Sequence, residues 1–374
     1  MRKSGLCLLS LFLSLILFIV PIFVPSVAAT SVSGECACLY LPQNNTFIFE
    51  KNADRRHPMA STTKIMTALV VLEQAAPDEV VTVSPEAAGI EGSSVYLRAG
   101  DQFTVEDLLY ALLLASANDA ATALAIHVAG DEEAFAARMN EKADELSLSS
   151  THFTNPHGLY HEEHYTTAKE LAIITAAALE NEAFARIVST KSKVICSVDG
   201  ETVRTLSNHN KLLRAYEDCV GVKTGFTKNS GRCLVSAAER DGMLLIAVTL
   251  DAPDDWRDHA AMLDFGFSLY EGYSVADGIS FQIPVVNGMS NSVTLSPKNS
   301  VTVVLPKGTP VPELTPEINH FAVAPVRRGQ VLGMAYYTQN GKTVAAVPLL
   351  AEESVAAVQQ KHSLLDKIKH LFNL

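Results

Sequence analysis

The chain has 374 residues, of which 48% are apolar and 19% charged, a composition typical of a globular protein and not of a disordered one. Its formal net charge is −12, and no stretch clusters the Lys and Arg residues that bind phosphate backbones, which argues against a nucleic-acid partner. The length exceeds what one hydrophobic core usually covers, so we expect two domains and a targeting segment.

Residues 1–29 predict a secretory signal peptide. Two basic residues precede an apolar run that continues to about Val24, and Val27-Ala28-Ala29 then supplies the small-residue pattern of a signal peptidase site. The alternative is an uncleaved anchor helix, but Pro21 and Pro25 interrupt the run. We therefore expect cleavage after Ala29 and an exported protein.

Cysteine usage predicts neither a complete disulfide framework nor a metal centre. Cys7 leaves with the signal peptide, and an odd number of cysteines remains. Cys36-Ala37-Cys38 has no second pair of Cys or His residues at metal-binding spacing. We interpret these two cysteines as small buried hydrophobic residues on one strand face, and we expect no metal and no cofactor.

The first part of the mature chain predicts a strand hairpin followed by buried helices. Residues 35–50 alternate apolar and polar around Asn44-Asn45, which indicates a hairpin. A helix over 66–75 opens near Ser61, and the nearly continuous apolar residues from Thr104 indicate core helices. Thr167-Ala168-Lys169-Glu170 has the pattern of a capping box at the start of another helix.

The second part of the chain predicts strands. Residues 217–226 and 232–251 have strand composition, and 227–231 form the turn between two antiparallel strands. Beyond Tyr273, short Val-rich runs broken by Pro, Gly and Asn predict a small all-β domain. Residues 353–374 place apolar residues on one helical face beside lysines and predict an amphipathic helix.

Three short motifs carry the chemistry. Ser61-Thr62-Thr63-Lys64 places a serine and a lysine on one face of a helix start, within reach of each other. This spacing is common by chance, but Ser116-Ala117-Asn118 follows between apolar helices and Lys223-Thr224-Gly225 follows inside a predicted strand. Penicillin-binding proteins and serine β-lactamases carry these three motifs in this order.

The sequence resembles the low-molecular-mass penicillin-binding proteins that are D-alanyl-D-alanine carboxypeptidases. The resemblance covers most of the mature chain and includes the flanking segments HPMASTTKIMTALV, LLLASANDAATALA, TNPHGL and GVKTGFTKNSGRCLVSAAER. It implies an α+β fold: a penicillin-binding domain over 30–273 with an antiparallel sheet and a helical cluster, a β-rich domain over 274–352 and a membrane-anchoring helix over 353–374.

The resemblance also implies roles for the first two motifs. Ser61 is the acylated nucleophile, and Lys64 takes its proton, which a lysine can do only when neutral. Ser116 passes a proton to the departing amine. Asn118 holds Lys64, while its amide meets the substrate backbone.

The third motif is implied to bind the substrate. Lys223 and Thr224 face the free carboxylate of the terminal D-Ala, and Gly225 lets the substrate lie along the strand edge. The backbone N–H groups of Ser61 and Phe226 hold the oxyanion. Phe226 stands where many relatives carry His. The backbone N–H of Phe226 can still donate to the oxyanion, but any role of an imidazole side chain is lost. His209 stands where some relatives have Arg.

The expected activity is removal of the terminal D-Ala from peptidoglycan stem peptides that end in D-Ala-D-Ala, with β-lactam antibiotics as imitators of that substrate. The expected location is the outer face of the plasma membrane, because the lysine-flanked apolar face of residues 353–374 suits a membrane surface, whereas its charges prevent it from spanning.

Two other functions share the motifs. A class A-like β-lactamase needs a Glu-activated water, and the corresponding segment, THFTNPHGL at 151–159, contains no carboxylate. A non-catalytic penicillin sensor could keep the fold without turnover, but the intact Ser61, Lys64, Ser116 and Lys223 argue against it.

Overall fold

The computed structural model describes residues 31–358. The predicted signal peptide, residues 1–29, lies outside this range, as does the part of the predicted terminal helix that follows residue 358. Within residues 31–358, no helix combines the length and the apolar composition needed to cross a bilayer.

An antiparallel sheet forms the centre of the first domain. The strands of this domain are β1 (Cys36–Leu41), β2 (Thr46–Lys51), β3 (Val80–Thr82), β4 (Gln102–Thr104), β5 (Ser192–Cys196), β6 (Val203–Ser207), β7 (Cys219–Thr227), β8 (Gly231–Arg240) and β9 (Met243–Leu250). The central sheet has the order β2-β1-β9-β8-β7. The predicted hairpin at 35–50 is confirmed as β1 and β2, and Asn45 adopts the left-handed conformation at its turn.

Helices cover both faces of this sheet. They are α1 (Lys64–Gln74), α2 (Val105–Leu114), α3 (Asn118–Ala129), α4 (Glu132–Glu145), α5 (Ala168–Leu179), α6 (Glu182–Ser189), α7 (Leu212–Ala215) and α8 (Asp255–Leu269). Side chains alternate between faces along a strand, so Cys36 and Cys38 pack toward the helical cluster while Ala37 and Leu39 pack toward α8. Both cysteines are fully buried, as predicted.

Most residues of α2 and α3 are buried, which confirms that the segment after Thr104 forms core helices. Two other predicted elements differ in detail. The strand predicted over 232–251 is two strands, β8 and β9, because the chain reverses at Asp241-Gly242, where both residues have positive φ. Only half of the predicted capping box forms: Thr167 accepts from Glu170 N, but the Glu170 carboxylate accepts from Ser150 N instead of closing on Thr167.

The second domain is all β, as predicted. Its strands are β10 (Tyr270–Val275), β11 (Phe281–Val286), β12 (Ser292–Pro297), β13 (Val301–Pro306), β14 (Glu313–Ile318), β15 (Ala322–Val323), β16 (Val331–Gln339) and β17 (Lys342–Ala351). One sheet has the order β14-β16-β17-β12-β11-β15, and β10 pairs with β13. The boundary predicted between 273 and 274 falls inside β10, which continues directly from α8.

Residues 353–358 are extended, although the sequence predicts a helix from 353. Val355 pairs with Val326, and Ala357 pairs with Gly288. Val355 is buried in the core of the second domain. These residues therefore complete the β domain, because an apolar side chain at 355 is better buried between strands than exposed at a helix start.

His259 in α8 is an uncharged histidine in the core of the first domain. It is fully buried, with Ser236 Oγ 2.5 Å from Nδ1 and Thr249 Oγ1 2.9 Å from Nε2. Burial lowers the pKa of His259 from 6.5 to about 3. The unfolded chain therefore binds a proton between these two pH values that the folded chain does not, and acid must destabilise the fold.

We expect His259→Gln to flatten the pH dependence of stability. Between pH 6 and pH 4 the free energy of unfolding should fall less steeply than in the wild type, by about 1.4 kcal/mol per pH unit for one proton. Urea unfolding at several pH values measures the slope, and the same substitution at the exposed His320 is the control. Equal slopes in wild type and His259→Gln would show that His259 does not carry this linkage.

Candidate active site

Ser61 lies in a tight turn at the start of α1. Residues Ala60–Thr63 form one turn of 3₁₀ helix that leads into Lys64, so the predicted position at a helix start is correct. The turn is held by its own threonines: Thr62 Oγ1 donates to Met59 O at 2.6 Å and Thr63 Oγ1 donates to Ala60 O at 2.7 Å. Ser61 is thus presented on a short, internally bonded turn.

Lys64 is fully buried one turn after Ser61. Its Nζ lies 3.2 Å from Ser61 Oγ, 2.7 Å from Asn118 Oδ1 and 2.6 Å from His157 O. Burial holds the pKa of Lys64 well below its usual range, the nearby Lys223 lowers it further and Asp119 opposes the shift. An amine with these surroundings can lose its proton and accept one from Ser61.

Ser116 and Asn118 lie where α2 gives way to α3. Ser116 has φ +60° and is almost fully buried. Hydrogen bonds at both ends of the amide hold the Asn118 side chain: Oδ1 accepts from Lys64, and Nδ2 donates to Glu91 O at 2.5 Å. The amide is predicted to meet the substrate, and since Glu91 O uses one of its two hydrogens, the other is left for a ligand.

Lys223 approaches the same place from β7. Its buried Nζ donates to Ser116 Oγ at 3.1 Å and to Thr224 O at 2.8 Å. Burial lowers the pKa of Lys223 to about 7. Gly225 makes the approach of β7 possible, because a Cβ there would lie 3.0 Å from Ser61 N and 3.1 Å from Met59 O. The strand edge therefore lies directly beside the serine.

The residues of the three motifs surround one cleft of about 340 Å³. Ser61, Ser116, Thr224, Gly225 and Phe226 form part of its wall, and the Phe226 side chain is largely exposed at the rim. Lys64, Asn118 and Lys223 lie behind that wall, joined to it by the hydrogen bonds above. All eight residues predicted for the site are therefore brought together.

The cleft wall contains further residues that the motifs do not include. They are Ser93, His209, Lys211, Arg232, Cys233, Asp255 and Trp256. Arg232 is held by the buried Asp255, at 2.8 Å, and its guanidinium lies 5.9 Å from the Trp256 ring centroid. Neither Lys211 nor Arg232 belongs to a motif, and the pairing of residues from β8 and α8 was not predictable from spacing.

The segment THFTNPHGL contributes backbone to the site and no carboxylate. His157 offers its carbonyl to Lys64, and Gly158 packs against the Ala60 carbonyl so closely that a Cβ would lie 2.0 Å from that oxygen. The carboxylate of Glu132 lies near the segment, but its Oε1 is 3.6 Å from the His157 ring and accepts from Thr122. It contacts the ring of His157 and not Lys64.

Comparisons with known proteins agree over nearly the whole described chain. The model of the family described as D-alanyl-D-alanine carboxypeptidase matches residues 24–254, and the model described as penicillin-binding protein 5, C-terminal domain, matches residues 273–357. The D-alanyl-D-alanine carboxypeptidase DacF of Bacillus subtilis is 31% identical over 86% of this chain and 86% of its own. DacC of Escherichia coli is 30% identical over 88% of this chain and 86% of its own.

A solved structure of similar extent is penicillin-binding protein 5 from Haemophilus influenzae. It superimposes with a TM-score of 0.63 at 28% identity, covering 87% of this chain and 98% of that chain. Family model, relatives and structure thus agree on both the catalytic domain and the β domain. The chain therefore belongs to the D-alanyl-D-alanine carboxypeptidase family and is a hydrolase of the low-molecular-mass penicillin-binding type.

Proposed function

We propose that this carboxypeptidase acts on peptidoglycan stem peptides that end in D-Ala-D-Ala and removes the last residue through an acyl-enzyme at Ser61. The observation that carries the proposal is the contact of Ser61 Oγ with the buried Lys64 amine, whose neutral form is favoured by its surroundings. A serine beside a surface lysine would have no such base.

In the proposed acylation, neutral Lys64 takes the proton of Ser61 Oγ as that oxygen attacks the carbonyl carbon of the penultimate D-Ala. The carbonyl oxygen becomes an oxyanion, which the N–H groups of Ser61 and Phe226 stabilise. The peptide C–N bond then breaks, and the proton that Lys64 took passes by way of Ser116 to the departing amine, so that Lys64 and Ser116 return to their starting protonation states. D-Ala leaves, and water hydrolyses the ester to regenerate Ser61.

Selection of a free terminal carboxylate is assigned to Lys223 and Thr224. Burial lowers the pKa of Lys223 to about 7, and an incoming carboxylate favours its protonated form, so substrate and cation stabilise each other. Thr224 supplies a hydroxyl on the cleft wall. A peptide without a free carboxylate at this point would leave the cation unpaired, which favours a carboxypeptidase over an endopeptidase.

A carboxypeptidase and a β-lactamase differ in how fast they hydrolyse the ester formed with penicillin, and we expect slow hydrolysis here. Penicillin imitates acyl-D-Ala-D-Ala, and its opened ring stays tethered where D-Ala would depart, so it obstructs water on that side. The segment 151–159 offers no carboxylate to activate water from the other side. The ester at Ser61 should therefore persist.

We predict that Ser61→Ala abolishes both the release of D-Ala and the formation of a penicilloyl ester. Wild-type protein should release D-Ala from a diacyl-lysyl-D-Ala-D-Ala peptide. After brief exposure to benzylpenicillin it should carry one penicilloyl adduct on the Ser61 peptide for at least minutes, as read by intact-protein mass spectrometry. Rapid turnover of penicillin without a trapped adduct would favour the β-lactamase, and neither adduct nor D-Ala would favour the non-catalytic sensor.

Another prediction concerns the selection of a free terminal carboxylate. Lys223→Ala should slow acylation by peptide and by penicillin alike, on the order of 100-fold, because both ligands place a carboxylate beside this cation and lose a charge-assisted bond. Lys64→Ala is the comparison, since loss of the base should abolish acylation of both. If Lys223→Ala left peptide acylation unchanged while Lys64→Ala abolished it, the assigned role of Lys223 would be wrong.

We further propose that the protein is exported and held on the outer face of the plasma membrane. The support is in the sequence: the Val27-Ala28-Ala29 site, and Leu364, Leu365, Ile368, Leu371 and Phe372 beside lysines on one helical face. Since Val355 belongs to the core of the β domain, a clean truncation must keep residues through Val358.

We therefore predict that mature protein ending at Val358 appears in the soluble fraction with full carboxypeptidase activity, while the full-length protein sediments with membranes. Loss of the apolar helical face removes the interfacial affinity without touching the cleft. Membrane fractionation with a penicillin-binding assay measures both properties. Membrane retention of the truncated protein would contradict the anchor assignment.

A further inference from the structure

The residue before the nucleophile has an unfavourable backbone conformation. Ala60 has φ +48°, in the left-handed region, where the Cβ of an L-residue lies too close to the following carbonyl oxygen. Such a conformation persists only when its surroundings hold it. The groups that hold Ala60 therefore determine how Ser61 is presented.

Thr63 holds the carbonyl of Ala60. Its Oγ1 lies 2.7 Å from Ala60 O and 2.8 Å from His164 Nε2, and the threonine is fully buried. A hydroxyl has one hydrogen, and a carbonyl oxygen can only accept, so Thr63 donates to Ala60. The hydroxyl must then accept its second bond from His164, and the proton lies on Nε2.

His164 is itself fixed in that tautomer. Its Nδ1 accepts from Thr154 N at 3.1 Å, which leaves Nε2 as the nitrogen that carries hydrogen. The ring packs edge-on against Phe153, with centroids 5.7 Å apart, and it is almost fully buried. Burial, and secondarily the neighbouring His152, lower the pKa of His164 to about 3, so the ring stays neutral at ordinary pH.

The direction of the Ala60 carbonyl sets the direction of the next N–H. In a planar trans peptide the carbonyl of Ala60 and the N–H of Ser61 point in opposite directions. Gly158 packs against the same carbonyl, since a Cβ there would lie 2.0 Å from Ala60 O and 2.8 Å from Thr63 Oγ1. A shift of the carbonyl would therefore turn the Ser61 N–H away from the cleft.

We propose that His164 is a positioning residue for acylation, which acts through Thr63 and the Ala60 carbonyl to aim the Ser61 N–H at the developing oxyanion. The inference rests on the proposed role of Ser61. Because oxyanion donors act on the transition state more than on the bound ligand, loss of the positioning should slow the chemical step and leave ligand binding nearly unchanged.

The test separates the acylation rate constant of a fluorescent penicillin from its binding constant by stopped flow. His164→Leu, which keeps bulk and loses the donor, should lower the rate constant about tenfold to hundredfold and change binding less than twofold. His164→Gln, whose amide can donate to Thr63, should recover most of the rate. The matched control is His161→Leu, at an exposed position nearby.

A second pair of variants tests the same chain of bonds at its middle. Thr63→Val is nearly isosteric and lacks the hydroxyl, and it should slow acylation like His164→Leu, whereas Thr63→Ser should stay within about threefold of wild type. The double variant His164→Leu/Thr63→Val should acylate no more slowly than either single variant, because both substitutions break the same path of hydrogen bonds from His164 to the Ala60 carbonyl. If His164→Leu does not fold, the Thr63 pair carries the test.

The possible results separate the positioning role of His164 from the proposed acylation at Ser61. A wild-type adduct on a residue other than Ser61 would overturn the proposed function itself. A Ser61 adduct formed at the wild-type rate by His164→Leu or Thr63→Val would overturn only the positioning role. Equal slowing by His164→Leu and His164→Gln, or an effect confined to binding, would also overturn it, because packing alone would then account for the loss.

Discussion

Lys64 keeps its amino group out of solvent inside the helical cluster, and an isolated ammonium in that position would be strongly destabilising. Asn118 Oδ1 and His157 O accept hydrogen bonds from it there, and Ser61 Oγ lies 3.2 Å from the same nitrogen. The second buried lysine, Lys223, lies close enough to disfavour two positive charges together. The cleft is therefore arranged around a lysine that is easily deprotonated, and the serine beside it becomes reactive for that reason.

The same region contains backbone conformations that residues with a Cβ rarely adopt. Ala60 and Ser116 both have positive φ, and both adjoin the chemistry: Ala60 precedes the nucleophile, and Ser116 accepts from Lys223. Each such conformation costs on the order of 1–3 kcal/mol and needs support from its neighbours. Support comes from Thr63 at Ala60 and from the buried helices on both sides of Ser116. The stability of the helical core thus maintains the strained geometry of the cleft.

Much of this arrangement could be predicted from sequence, because the motifs are local and their contexts are periodic. The positions of Ser61 and Lys64 at a helix start, of Ser116 between core helices and of Lys223 in a strand follow from apolar patterning. What could not be predicted depends on long-range packing. The bond from Asn118 to Glu91 joins a helix to a distant loop, and the pairing of Arg232 with Asp255 joins β8 to α8. The helix start predicted at 353 was wrong because burial of Val355 in the β domain outweighs local helical periodicity.

The loop that supplies His157 and Gly158 contributes backbone contacts to the site and no acidic side chain. Asn155 closes the loop on itself, since its Oδ1 accepts from Gly158 N at 2.7 Å and its Nδ2 donates to Leu159 O at 3.0 Å. The loop then presents a carbonyl to Lys64 and a bare glycine to Ala60, and a side chain at Gly158 would collide with the Ala60 carbonyl. Both contacts are made by backbone atoms, and residues 151–159 contain no carboxylate, so the loop contacts Lys64 and Ala60 without placing an acid beside them. For the acyl-enzyme proposed above, the rate of hydrolysis then depends on whether the leaving group departs, as D-Ala does, or stays tethered, as in opened penicillin.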